Sequence, residues 1–230
     1  TFHEALNPHM TTAGVAKNTL WNFISGGRGV ADYAYGHEML RGWKRAQAAI
    51  GAETVLEILH PFGTPDYSTF LPRILAAKPD VLCISNFGRD QANAIKQATE
   101  FGLKQQARIV VPVILHNQRL AVGPETFEGV VGGANYYWGM EDKSASAKTF
   151  NDAFRKEHNG AIPTDYGTYG YTGVKSLLDA IKQAGSTENE KMVDALESLK
   201  YDVAKGPQYY RKCDHQSVQS VLVLESKKKA

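Results

Sequence analysis

The chain has 230 residues, of which 43% are hydrophobic and 22% are charged, and its formal net charge is +2. This is an ordinary globular composition, sufficient for one large domain or two small ones. The net charge is too small, and the lysines and arginines too dispersed, to indicate nucleic-acid binding, and no apolar stretch approaches the roughly 18 residues that span a bilayer.

Apolar runs alternate with helical patterns from about residue 20 to residue 136. The predicted strands start at 22–24 and then cover 54–59, 81–85, 108–115 and 129–137, and the predicted helices cover 38–50, 67–77 and 90–101. Parallel neighbouring strands need crossover connections, whose helices bury their apolar sides on the sheet. The pattern therefore predicts an α/β fold with a doubly wound, mainly parallel sheet.

The pattern changes after Trp138 to one helix after another. Helices are predicted over 144–158, 166–183 and 188–199, and strands over 208–211 and 218–225, with a hairpin at 212–217. Ser144 and Thr187 have the residue type and position of helix N-caps. We predict a ligand-binding α/β lobe over 8–137, a helical segment over 138–206, and returning strands with a basic tail over 207–230.

Three motifs raise the question of a cofactor or a metal. Gly26-Gly27-Arg28-Gly29 lacks the lysine and hydroxyl residue of a phosphate loop, so a flexible turn is predicted there. His37-Glu38 could open a zinc-binding helix, but Arg41 stands where the second histidine belongs. Two cysteines do not make a disulfide framework, and Cys83 is expected to be a small buried residue. We predict no metal and no cofactor.

Catalytic motifs are equally incomplete. Ser85 follows a strand but lacks the flanking glycines of a nucleophile elbow. Asp32 or His116 could act as a general base, which leaves an α/β enzyme open as an alternative. Asp90 is explained more simply as a helix cap.

Aromatic and polar side chains follow three successive predicted strands, where parallel sheets bind ligands. They are Tyr33, Tyr35, Asn86, Phe87, Leu115, His116 and Asn117. Aromatic area with a few hydrogen-bonding groups is typical of a small-molecule cleft. Tyr166 is expected on the exposed face of its helix, and Tyr171, Val174 and Leu178 on the core face.

Six stretches of the sequence stand out together: DYAYG at 32–36, FGTPDYS at 62–68, KPDV at 78–81, IKQATEFG at 95–102, YTGVKSL at 171–177 and CDHQ at 213–216. In order and spacing they resemble the type I periplasmic binding proteins, and most closely the branched-chain amino acid (Leu/Ile/Val) substrate-binding proteins of ABC transporters, with 213–216 resembling a terminal motif of some members. The resemblance implies two α/β lobes that close on a ligand and are then recognised by a membrane permease. It also implies that most of the first lobe has no counterpart here, and that Ser25 to Val30 interrupts the usual strand before Asp32-Tyr33.

The resemblance carries over to individual residues. Tyr35 matches a tyrosine of the strand-to-helix turn, Phe87 an aromatic residue after the next strand, and Tyr166 a tyrosine near the hinge. Amino acid binders of the family commonly place an acid after the strand that corresponds to 108–115, but this sequence continues with Leu115-His116-Asn117.

Taken together, these features lead us to expect a non-enzymatic, extracytoplasmic receptor of an ABC importer. It would lie in the periplasm, or be lipid-anchored in a Gram-positive bacterium, and bind a branched-chain amino acid or a related small carboxylic acid or amide. A cytosolic ligand sensor of the same fold is the first alternative, and the α/β enzyme is the second.

Overall fold

A computed structural model describes residues 1–19 and 25–228. The chain divides into two compact units. The sheet unit comprises residues 7–134 and 223–230, and the helical unit comprises residues 1–6 and 135–222. The chain therefore passes from one unit to the other after residues 6, 134 and 222. No helix in the described ranges is both long and apolar enough to cross a membrane.

The strands form one large and one small sheet. In chain order they are β1 (Ser25–Ala31), β2 (Glu53–His60), β3 (Val81–Ser85), β4 (Arg108–Val113), β5 (Val131–Ala134), β6 (Lys200–Tyr201), β7 (Gln208–Tyr210), β8 (Ser217–Val218) and β9 (Leu222–Glu225). The large sheet has the order β2-β1-β3-β4-β5-β9, and the pairs from β2 through β5 are parallel. The predicted doubly wound, mainly parallel sheet is confirmed.

The burial of the strands follows their place in this order. Every residue of β3 is buried, as expected for an apolar run that is covered on both faces of a parallel sheet. The edge strand β2 instead exposes most of its residues and buries Ile58 and His60.

The glycine-rich stretch before Asp32 corrects two of the sequence predictions. Residues 25–31 are neither a flexible turn nor an interruption: they are β1 itself, which pairs with β2 on one side and β3 on the other. The predicted strand start at 22–24 lies outside the described residues.

Close packing explains Gly27 in β1. A Cβ at Gly27 would lie 3.2 Å from the Cγ of Pro79, which a larger side chain would displace. Arg28 is buried in the same strand, where it donates to Thr54 Oγ1 at 2.6 Å and to Glu57 Oε2 at 3.2 Å. A buried guanidinium with these partners is compatible with a central strand, although residue type alone argues for a loop.

The helices of the sheet unit begin at different residues from those predicted. They are α1 (Pro8–Thr19), α2 (Ala34–Ile50), α3 (Leu71–Ala77), α4 (Gly88–Glu100), α5 (Leu103–Gln106), α6 (His116–Val122) and α7 (Pro124–Phe127). Residues 67–70, predicted as helix, form a turn in which Phe70 N donates to Tyr67 O. The helices α2 and α4 begin three residues after the last residues of β1 and β3. The residues that follow these two strands therefore lie at or next to the first turn of a helix.

The helical unit contains α8 (Ala145–Glu157), α9 (Asp165–Ala184), α10 (Asn189–Ser198) and a short 3-10 helix, Trp138–Asp142. The small antiparallel sheet has the order β6-β7-β8. The predicted hairpin is the β7–β8 pair, in which Tyr210 faces Ser217. The strand predicted over 218–225 is two strands, because β9 joins the large sheet instead.

The buried face of α9 is not the predicted one. Tyr171, Val174 and Leu178 are 41%, 59% and 55% exposed. The buried residues are Asp165, Thr168, Thr172, Ser176 and Ala180. The hydroxyls of this face have side-chain partners in the same unit, because Thr172 donates to Glu4 Oε1 at 2.9 Å and Ser176 Oγ lies 3.1 Å from Tyr210 Oη.

Candidate functional site

The strand order of the large sheet creates a switch point between β1 and β3. From β1 the chain moves outward to β2 and then returns past β1 to β3, β4 and β5. Crossover helices therefore leave the carboxyl ends of β1 and β3 in opposite directions, and a crevice opens between them. In doubly wound sheets this crevice is where ligands bind.

Four aromatic side chains line this edge of the sheet and contact one another in sequence. The ring centroids are 4.8 Å apart for Phe62 and Tyr33, 5.9 Å for Tyr33 and Tyr35, and 5.6 Å for Tyr35 and Phe87. We call Tyr33, Tyr35, Phe62 and Phe87 the aromatic rim. Tyr33, Tyr35 and Phe87 are half-buried and Phe62 is 67% exposed.

Local structure places each rim residue. Tyr33 precedes α2 and Phe87 precedes α4, and both have extended backbones at the N-cap. Phe62 follows the last residue of β2 by two positions, and the prediction from strand ends did not include it. Its sequence signal is the same as that of Tyr35 and Phe87, an aromatic residue shortly after a strand and directly before a glycine.

Asn86 lies beneath the rim and is 1% exposed. Its Oδ1 accepts from His60 Nε2 at 3.0 Å, and its Nδ2 donates to Tyr67 Oη at 3.0 Å and to the Asp90 carbonyl at 3.3 Å. These bonds join the ends of β2 and β3 to the start of α4. The structure therefore gives Asn86 a supporting position, with its amide committed to protein partners.

Asp90 completes this buried layer. Its Oδ2 accepts from the backbone N–H of Gly63 at 2.8 Å, which holds the loop that carries Phe62. Burial, with a smaller contribution from the Asp90 charge, raises the pKa of Tyr67 well above its ordinary range, so its hydroxyl remains protonated.

The next strand end contributes uncharged groups. Leu115 is buried, His116 is half-buried and Asn117 is exposed at the start of α6. Burial, together with the nearby Arg119 charge, lowers the pKa of His116, so its imidazole is neutral at pH 7. Gln118 Nε2 donates to the Gly88 carbonyl at 2.6 Å and so links α6 to the beginning of α4.

Asp32 has a partner on the helix that follows it. Its Oδ1 lies 2.7 Å from His37 Nε2, and both side chains are substantially exposed. Tyr166 belongs to the helical unit, where it is the second residue of α9 and is 51% exposed. The structure thus brings Tyr33, Tyr35 and Phe87 together and places Tyr166 in the other unit.

The fold defines a doubly wound α/β protein of the kind found in type I periplasmic binding proteins. Residues 29–230 match the family described as "Periplasmic binding protein". The chain belongs to this family.

Solved structures agree. An amino acid ABC transporter substrate-binding protein from Pseudomonas fluorescens is 25% identical with a TM-score of 0.92, and covers 99% of this chain. A periplasmic binding protein from Burkholderia mallei is 26% identical with a TM-score of 0.88, also over 99%. A solute-binding protein of an ABC transporter from Rhodopseudomonas palustris, solved with 3,4-dihydroxybenzoic acid, is 26% identical with a TM-score of 0.76, over 95%.

The similarity extends over only part of each of these proteins. This chain spans 61%, 60% and 60% of their respective lengths.

Proposed function

We propose that the chain is part of an extracytoplasmic solute receptor that delivers a small carboxylic acid or amide to an ABC importer. The observation that carries this proposal is the aromatic rim at the switch point of the large sheet. Half-buried aromatic rings over a hydrogen-bonded layer can bind an apolar ligand body with little reorganisation, because the buried bonds hold the loops in place.

The ligand class follows from charge at the rim. The two carboxylates described near the aromatic rim already have protein partners. Asp90 accepts from the Gly63 N–H, and Asp32 pairs with His37. The strand end at Leu115-His116-Asn117 adds neutral groups. An ammonium group buried without a carboxylate partner is costly. This favours an aromatic or aliphatic acid, or an amide, over a branched-chain amino acid.

The relative from Rhodopseudomonas palustris supports this preference, because its structure contains an aromatic acid. We propose Tyr33, Tyr35, Phe62 and Phe87 as ring contacts for the ligand, with His116 and Asn117 as polar contacts. Asn86 supports the rim from beneath. Delivery to a membrane permease and a location outside the cytoplasm belong to the same proposal.

Calorimetric titration of the full-length protein tests the ligand class. L-Leucine, 4-methylpentanoate, L-phenylalanine, benzoate, 3,4-dihydroxybenzoate and benzamide form a panel in which the ammonium group and the ring vary separately. We expect benzoate or its dihydroxy derivative to bind more tightly than L-leucine. Preference for L-leucine would contradict the assignment by charge, and conversion of a bound compound to product would indicate an enzyme.

Two substitutions test the position of the site. Tyr35→Ala and Phe87→Ala should each weaken binding of the preferred acid by more than about 1 kcal/mol, or about fivefold in Kd, because each removes a ring face. Phe101→Ala is the matched control, since Phe101 ends the helix that Phe87 begins and is 39% exposed. Equal affinities of all three variants would rule out the rim as the site.

A further inference from the structure

Lys205 is a buried lysine that the sequence does not single out. Its side chain is 3% exposed, and it lies between β6 and β7 in the helical unit. A buried ammonium needs an acceptor for each of its three N–H donors.

Each of the three acceptors lies close to a different point at which the chain passes from one unit to the other. Lys205 Nζ lies 3.1 Å from Glu4 Oε1, shortly before the first passage. It donates to Asn135 Oδ1 at 2.6 Å, in the first residue after the second passage. It also donates to Gln219 Oε1 at 2.6 Å, a few residues before the third.

A second set of bonds attaches the first of these segments to the hairpin. Gln216 Nε2 donates to the carbonyls of His3 and Ala5 at 3.2 and 2.9 Å, and the rings of His215 and Phe2 stack with centroids 4.1 Å apart. The Asp-His-Gln stretch at 214–216 therefore holds the segment that presents Glu4 to Lys205.

Glu4 has further partners that keep it charged. Although burial raises its pKa, the Lys205 ammonium and hydrogen bonds from Tyr201, Gln208 and Thr172 together lower it below its ordinary value. The Tyr169 ring lies 5.1 Å from Lys205 Nζ, a cation–π distance.

We propose that Lys205 is a positioning residue that holds together the three segments carrying its acceptors, which are Glu4, Asn135 and Gln219. By doing so it controls how readily the protein takes up and releases its ligand. The part concerning ligand exchange rests on the proposed function. The fastening itself does not, because it is a property of the helical unit alone.

Hydrogen exchange on the full-length protein without ligand tests the fastening. Lys205→Met keeps the length and apolar stem of the side chain but removes the three donors. We expect amide exchange around residues 3–6, 135 and 219 to accelerate by about tenfold or more, while β3 is unchanged. Lys200→Met, at an exposed lysine of β6, is the matched control and should change none of these segments.

Two other variants keep the test decisive if Lys205→Met does not fold. Asn135→Leu removes one acceptor of Lys205 and leaves its ion pair with Glu4, and it should still accelerate exchange in all three segments. Lys205→Arg retains the charge and should restore part of the protection. Acceleration confined to the substituted residue's own neighbours would overturn the proposal.

Stopped-flow binding of benzoate and L-leucine tests the second part. In the Asn135→Leu variant we expect a change of about threefold or more in the association and dissociation rates, because the substitution loosens the three segments and leaves the aromatic rim unchanged. If the wild-type protein binds neither probe, the proposed function fails while the exchange result still decides the fastening. If exchange accelerates but both rates are unchanged, control of ligand uptake is refuted.

Discussion

Gly29 and Gly133 lie in strands of the same sheet but have opposite surroundings. A Cβ at Gly29 would meet no atom within 4 Å, and Gly29 borders a cavity of about 20 Å³ that is also lined by Ile58, Phe70 and Leu82. A Cβ at Gly133 would lie 2.6 Å from the Pro112 carbonyl oxygen. The first glycine leaves space unfilled and the second is required by close backbone contact.

Gly29→Ala should therefore stabilise the protein. Neither glycine has a positive φ, so alanine can adopt the backbone conformation at both positions. At Gly29 we expect a gain of about 0.5 kcal/mol, from reduced freedom of the unfolded chain and from filling the cavity. At Gly133 we expect a loss of about 1–3 kcal/mol, because the backbone of β4 must shift. Urea unfolding of both variants measures the difference, and a destabilised Gly29→Ala would show that β1 does not tolerate a side chain there.

Of the two hydroxyl residues predicted as helix N-caps, one has this role and the other does not. Ser144 caps α8 as predicted, since its Oγ accepts from Ala147 N at 3.4 Å. Thr187, predicted as the cap of α10, does not have this role, because the N-cap residue is Glu188 and its N–H donates to Ser186 Oγ at 3.1 Å. A shift of one residue changes which side chain can reach the free N–H groups.

Ser144→Ala should cost about 1 kcal/mol of unfolding free energy, the usual value for loss of an N-cap. Thr187→Ala should change the stability by less than about 0.5 kcal/mol, as expected for an exposed position. Thermal unfolding followed by circular dichroism gives both numbers. A greater loss at Thr187 than at Ser144 would contradict the described helix start.

The glycine-rich strand β1 illustrates a limit at the level of elements. Its residues favour a loop, and neither period 2 nor an apolar run indicates a strand. The strand forms because its neighbours β2 and β3 hydrogen-bond to it and because Arg28 finds Glu57 and Thr54 on β2. Tertiary contacts here override residue preference.

At the scale of the whole molecule, the charge at Glu4 makes stability depend on pH. Its pKa in the folded protein is below the ordinary value of 4.5. The folded state therefore binds this proton less readily than the unfolded state, so the contribution of Glu4 is fully present above about pH 4.5 and is lost as the pH falls through the folded pKa.

Glu4→Gln should flatten this acid dependence and lower stability at pH 7 by about 3 kcal/mol, because Lys205 is left as a buried charge without its partner. Unfolding free energies measured between pH 3 and pH 7 test this. Glu190→Gln, at an exposed position of α10, is the control and should leave the curve unchanged. An unaltered acid slope in Glu4→Gln would show that other carboxyl groups produce it.

By itself, the sequence determined the α/β class, the alternation of the main helices and strands between residues 38 and 199, and the grouping of Tyr33, Tyr35 and Phe87 at strand ends. These properties are readable because alternation and strand termination are local patterns, and parallel strands necessarily bring their ends to one edge. Tertiary structure alone decided the strand at 25–31, the hydroxyl-lined buried face of α9 and the three partners of Lys205. Each of these depends on residues far apart in the chain, whose contacts compensate for burying groups that local patterns assign to the surface.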